Sequence, residues 1–297
     1  LDLVFENNTP TGGDMGAHVM APAYLRDHLL SNLQIQGWNN YWYNGFPLYR
    51  FYMVIPALMI VALNVVLPYG IAFKIVACLG VVSLPFCCWA FGRLARFRYP
   101  IAELMALGGL VFLFDESFSI YGGNVKSTMA GEFSFSIALS FAILGFGLFA
   151  RGLETGKYRN WTALILALAI LSHGIVAIFV VMGALLMWLV WMDKSRFFYG
   201  LTMGVTAVLL SAFLAGGLLH PNGAGAYLPT RHFRQCALAC VVAPMTRDRA
   251  KSVLDASLTL DTWEAAFELE FTHQDWSMDQ PAFQEKLAEL RAKLQKD

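Results

Sequence analysis

Ile71-Ala-Phe-Lys-Ile-Val-Ala-Cys-Leu-Gly-Val-Val-Ser-Leu-Pro-Phe-Cys-Cys-Trp-Ala-Phe91 decides the class of the fold. The run carries one charge, Lys74, and is as long as the roughly 20 residues an α-helix needs to cross a bilayer. Phe51–Leu67, Phe133–Ala150, Ile175–Met192 and Phe197–Leu219 are blocks of the same kind, and Ile101–Phe114 is a shorter one. Apolar residues gathered in blocks, rather than in periodic stripes, mark a membrane protein. Composition agrees: the chain is 57% hydrophobic and 14% charged with a mean hydropathy of +0.53, where a soluble domain carries about 25% charged residues. The chain therefore reads as all-α, a polytopic membrane helical bundle. Its organisation is an external loop over 1–50, a transmembrane helical domain over 51–219, a linker with a short apolar segment over 220–246, and a small soluble helical tail over 247–297.

Acidic and basic residues balance at 21 each, which gives no electrostatic footprint for nucleic acid. Of the five cysteines, Cys78, Cys87 and Cys88 sit in apolar runs, and Cys236 and Cys240 lie in the tail. None has the partner set of a thiolate metal site. Leu1 opens directly into a polar segment with no cleavable-signal pattern, as in a fragment or an incomplete gene.

Basic residues in short loops orient a membrane chain. Arg93, Arg96 and Arg98 separate two apolar runs; Arg151, Lys157 and Arg159 separate the next pair; Lys194 and Arg196 follow Met192. These three loops read as cytoplasmic, which leaves 115–132 and the Ser172-His173-Gly174 break outside. Phe51–Leu67 then decides the parity of everything before it. If it crosses, the first loop is cytoplasmic; if it lies along the outer interface or re-enters, both acidic loops share one face. Arg26 and Arg50 are outnumbered by Asp2, Glu6, Asp14 and Asp27, and Pro56 and Pro68 would break a straight span. Both features favour a helix that does not cross.

Two polar stretches interrupt the apolar pattern: Gly12-Gly13-Asp14-Met15-Gly16-Ala17-His18, and Asp115-Glu116 followed by Lys126-Ser127-Thr128-Met129-Ala130-Gly131-Glu132. Carboxylates are costly to hold at the mouth of a membrane domain and so mark candidate sites. Asp14 reads either as a helix N-cap or as a general base or cation ligand. His18, one turn on, is a surface hydrogen-bonding group or an orienting partner. Glu132 is a first-turn acid complementing a helix dipole or a site carboxylate. Asp115 and Glu116 are solvated helix-end carboxylates or ligands, Lys126 a loop lysine or a phosphate partner. His173 either satisfies backbone groups at its break, which is the top of a short hairpin or a kink, or contacts substrate. Trp38, Tyr41, Trp42, Tyr43 and Tyr49 suit an interfacial belt, and 22–33 reads as an amphipathic helix.

The acidic turn, the amphipathic segment and Gly37-Trp-Asn-Asn-Tyr-Trp-Tyr-Asn-Gly-Phe-Pro47 together resemble the first external loop of C-type (GT-C-like) integral membrane glycosyltransferases. The layout of Lys126 to Glu132 is similar to that family's second acidic motif. Closer still, Gly12 to His18 with Trp42-Tyr-Asn-Gly-Phe-Pro-Leu-Tyr49 looks like a bacterial, largely actinobacterial, group of large membrane proteins labelled 6-pyruvoyl-tetrahydropterin-synthase-related. That synthase is a small soluble zinc enzyme with a histidine triad, which this chain does not supply, so the label names no activity here.

The resemblance covers about residues 10–213. It implies transfer of a sugar from a polyprenyl-phosphate carrier to a glycan or glycolipid acceptor on the outer face of a bacterial plasma membrane. It implies Asp14 as base or metal ligand, Glu132 as the second catalytic carboxylate, and Lys126 as the charge facing the lipid phosphate. His18, Trp42, Tyr43 and His173 complete the implied substrate-binding set. A divalent cation, magnesium or manganese, would be held by Asp14, Glu132, Asp115 and Glu116. The resemblance ends near Phe213, where such families continue through further helices. The alternative is a non-catalytic membrane protein of the same fold that binds lipid-linked glycan or scaffolds envelope assembly. A transporter fits less well, because Lys74 and Glu103 are the only charges within the runs before Glu132.

Overall fold

The structure, a computed structural model, describes residues 2–39, 41, 46–50, 53–117 and 122–219. Trp42 and Tyr43, the linker over 220–246, the tail over 247–297, and Cys236 and Cys240 lie outside the described residues. Of these, the described residues of 2–39 and 47–219 belong to one compact unit.

A short α1 (Asp2–Phe5) precedes α2 (Met15–Tyr24), which continues through a π turn, Leu25–Leu29, and a 3-10 turn, Leu30–Asn32. The helix expected over 22–33 thus begins earlier, at Met15, and contains Pro22. Its start is set by Gly12 and Gly13, whose left-handed φ of 100° and 53° turn the chain just before Asp14. A two-stranded ribbon, β1 (Gly37–Asn39) and β2 (Phe46–Leu48), leads to α3 (Val54–Asn64). Then come α4 (Tyr69–Leu94), α5 (Ile101–Leu113), α6 (Val125–Ser127), a π turn over Thr128–Glu132, and α7 (Phe133–Thr155). The described chain closes with α8 (Arg159–Ser172), α9 (Gly174–Val190) and α10 (Lys194–Leu219).

The described residues are mostly helical, and among them two stretches are long and apolar enough to cross a bilayer: Tyr69–Leu94 and Val125–Thr155. α3, α5, α8 and α9 are apolar but shorter, at 11, 13, 14 and 17 residues. Large apolar side chains face outward on α5 (Leu107, Val111), α9 (Phe179, Leu186, Val190) and α10 (Val208, Leu209).

Successive long helices alternate in direction, and their basic turns meet. Arg96, after α4, pairs with Glu154 at the end of α7 at 2.7 Å. Arg196, at the start of α10, donates from Nε to the Leu153 carbonyl at 3.1 Å, while Tyr199 donates to the Lys157 carbonyl at 2.9 Å. Trp188 near the end of α9 donates to the Arg196 carbonyl at 3.0 Å. α8 and α9 therefore form a hairpin, with His173 at its top, rather than one kinked helix.

The opposite end of the bundle gathers the polar segments. α3 begins against the α8–α9 break, Met53 N–H donating to the Ser172 carbonyl at 3.0 Å, and ends beside Arg26, which donates to the Asn64 side chain at 2.5 Å. At about 1.5 Å per residue, its 11 residues lie along this end without crossing the bundle. Lys74, the one charge in α4 away from its end, donates to the Glu6 carbonyl and to Asn8 Oδ1, both at 2.7 Å, and so fastens the first segment to α4. The core beneath is built on α7, where Ala138, Ala142 and Phe149 pack with Leu166 of α8 and Val176 and Val180 of α9.

Candidate functional site

The first wall of the site is the turn before α2. Asp14 stands at the N-cap position of α2, yet its side chain makes no capping hydrogen bond. Its backbone N–H donates instead to the Ala130 carbonyl at 2.8 Å. The residue is exposed.

The second wall is the segment before α7. Asn124 caps α6 by accepting the Ser127 N–H at 2.8 Å and donates to the Asp115 carbonyl at 2.7 Å. The π turn that follows exists because Gly131 takes φ +126°, a conformation costly for any side chain. A Cβ at Gly131 would press on Asp14 Cβ at 3.0 Å and Met15 N at 3.1 Å, and one at Gly13 would collide with the Ala130 carbonyl. Two glycines thus let the two acidic stretches touch backbone to backbone. Glu132 is the next residue, half-buried, with Phe133 behind it.

The third wall is the top of the α8–α9 hairpin. His173 is buried, extended at φ −153°, and its Nδ1 accepts the Ile175 N–H at 3.3 Å. Its Nε2 faces Glu132 Oε2 at 3.5 Å. Phe135 meets the His173 ring edge-on at 5.1 Å between centroids, and Phe133 meets His18 at 6.0 Å. Burial holds the His18 pKa below its ordinary 6.5, against the opposing pull of Asp14 and Glu132 and with that of His173. His18 is thus a buried ring that feels both Asp14 and Glu132.

Asp14, His18, Glu132 and His173 come together, although they are far apart in sequence. Asp115 and Glu116 take other partners. Asp115 is exposed and accepts the Ser117 N–H at 2.9 Å, and the Ser117 hydroxyl and N–H together lower its pKa; Glu116 stands 3.9 Å from Lys126 in an exposed pair. Among the described residues no three His, Cys, Asp or Glu side chains are grouped so as to hold a metal ion. The implied ligands Asp14, Glu132, Asp115 and Glu116 form no such group among the described residues.

Sequence reasoning missed the aromatic floor, Phe133 and Phe135, and the pairing of Glu132 with His173. The only signal was the spacing Glu132-Phe-Ser-Phe135, which merges into the apolar run that follows it. Comparison of the chain with protein-family models, with curated proteins and with solved structures finds no match in any of the three.

Proposed function

We propose that the chain is a membrane glycosyltransferase of the C type, which moves a sugar from a polyprenyl-phosphate donor to a cell-envelope acceptor on the outer face of a bacterial plasma membrane. One observation carries the proposal. The Asp14 N–H bonded to the Ala130 carbonyl joins the two acidic stretches, whose Asp14 and Glu132, 118 positions apart in the numbering, both act electrostatically on His18. The outward apolar faces of α5, α9 and α10 and the two long apolar helices support a polytopic bundle in the bilayer.

In this scheme the exposed Asp14 carboxylate takes the proton of the acceptor hydroxyl. The freed oxygen forms a bond to the sugar's anomeric carbon as the bond from that carbon to the phosphate oxygen breaks, and the electron pair leaves with the polyprenyl phosphate. Lys126 is offered as the charge that meets the leaving phosphate. Glu132 is offered as the group that holds the acceptor.

The test uses the full chain in phospholipid vesicles with tritiated polyprenyl-phosphate mannose, glucose and galactose and an alkyl glycoside acceptor. Wild type transfers label, and Asp14→Asn lowers kcat by about 100-fold or more, the range of a lost general base. Donor binding without transfer in wild type would leave the non-catalytic alternative in its place.

A further inference from the structure

His173 is held from several directions before any ligand arrives. Its N–H donates to the Ala169 carbonyl at 3.2 Å, its carbonyl accepts the Ala177 N–H at 3.0 Å, and the residue before it accepts from Met53 at 3.0 Å. The buried ring lies against Phe135. Such a ring has little freedom to swing toward a substrate.

Its hydrogen-bond pattern also fixes what it can offer. Nδ1 accepts the Ile175 N–H at 3.3 Å. A neutral imidazole that accepts at Nδ1 carries its hydrogen at Nε2 and has no second lone pair to take a proton. Nε2 is the atom that faces Glu132 Oε2, at 3.5 Å. Glu132, for its part, ends the π turn after the non-helical Gly131 and stands at the N-cap position of α7, where its side chain makes no capping hydrogen bond. A carboxylate in that position needs a second anchor to hold a productive geometry.

We infer that His173 is a positioning residue: its Nε2–H orients the Glu132 carboxylate toward the ligand while its Nδ1 caps α9. This differs from contact with substrate, and it rests on the reading of Glu132 as the group that holds the acceptor. The 3.5 Å separation is then the resting length of a hydrogen bond that shortens when the site fills.

Two substitutions separate the two nitrogens. In His173→Gln the amide nitrogen reaches the place of Nε2 and can still donate to Glu132. In His173→Asn the amide oxygen reaches the place of Nδ1 and keeps the cap, but the donor is gone. The inference expects His173→Gln to keep most transfer with the acceptor KM of wild type, and His173→Asn to lower kcat/KM for the acceptor on the order of 100-fold, the cost of a misplaced group. Activity kept by His173→Asn and lost by His173→Gln would reduce His173 to a helix cap. A rise in KM with both would make it a substrate contact.

A second measurement does not depend on turnover. The chain has six histidines, few enough for 15N-imidazole spectra assigned by single substitutions. His173 should show a protonated Nε2 and a bare Nδ1, and Glu132→Gln should move the Nε2 signal. A proton on Nδ1, or no response to Glu132→Gln, would overturn the inference. If wild type transfers no sugar from any donor, these spectra still decide whether His173 holds Glu132, and the glycosyltransferase reading alone falls.

Discussion

Gly131 answers to two constraints at once, its φ of +126° and the chain at Asp14, since a Cβ would stand 3.0 Å from Asp14 Cβ and 3.1 Å from the Met15 nitrogen. Gly131→Ala should therefore cost about 1–3 kcal/mol, read as a lower melting temperature of the purified chain, and should unseat Asp14 as well. Gly16 is the control, since it is helical and a Cβ there meets nothing within 4 Å. Gly16→Ala should leave stability unchanged or raise it by about 0.5–1 kcal/mol. Equal losses from both substitutions would remove the contact between the two acidic stretches from the account. His18 makes a pH prediction. Its folded pKa lies below the ordinary 6.5 because of burial, so between that lowered value and 6.5 the unfolded chain holds more protons than the folded one. Stability then rises with pH through that window, is complete above about 6.5, and is lost as pH falls. Melting temperatures from pH 7.5 to pH 5 should fall less steeply in His18→Gln than in wild type, and identical slopes would contradict a buried neutral His18. Both acidic stretches were legible in the sequence as polar interruptions of apolar runs. That they touch was not, because no local pattern records which backbone will close on Gly131.

Among the elements, α4 and α7 show how closely the helices pack and why the sequence was silent about it. A Cβ on Gly80 would collide with the backbone at Ser136 and Ile137, and the Gly80 carbonyl accepts the Ser140 hydroxyl at 2.9 Å. Gly80→Val should push α4 from α7 and destabilise by about 1–3 kcal/mol, as overpacking does. The expected readout is a lower melting temperature with helical circular dichroism retained below it; an unchanged melting temperature would mean that the two helices are not in contact at Gly80. The sequence located these helices well. The runs Ile71–Phe91 and Phe197–Leu219 became Tyr69–Leu94 and Lys194–Leu219, and Ile175–Met192 became Gly174–Val190. α4 and α10 outlast their apolar runs because Arg93 and Lys194 keep the backbone pattern while reaching for a polar end. Faces and partners stayed hidden, since a segment apolar all round has no stripe to announce which side packs. α8 was the hardest case: its fourteen residues end where His173, not a glycine or proline alone, turns the chain.

At the scale of the whole molecule, the arrangement of charge makes one claim that a labelling experiment can settle. Arg96 with Glu154, and Arg196 with the Leu153 carbonyl, gather the basic turns at one end, whereas Asp14, Glu132 and His173 gather at the other. A chain that follows the rule of basic loops inside places the first end in the cytoplasm and the candidate site outside. Thr11, Met129 and Lys157 are all exposed and report on the two ends when changed singly to cysteine, in a background where the five native cysteines are removed. With a membrane-impermeant maleimide on intact cells, Thr11→Cys and Met129→Cys should label alike, and Lys157→Cys only after permeabilisation. Labelling of Met129→Cys without Thr11→Cys would separate stretches that the Asp14–Ala130 hydrogen bond joins, and the shared site would fail with it. Labelling of Lys157→Cys alone would keep the site intact but turn it to the cytoplasm, where an acceptor on the outer face could not reach Asp14, and the proposed reaction would have to be given up even though the two acidic stretches stayed joined.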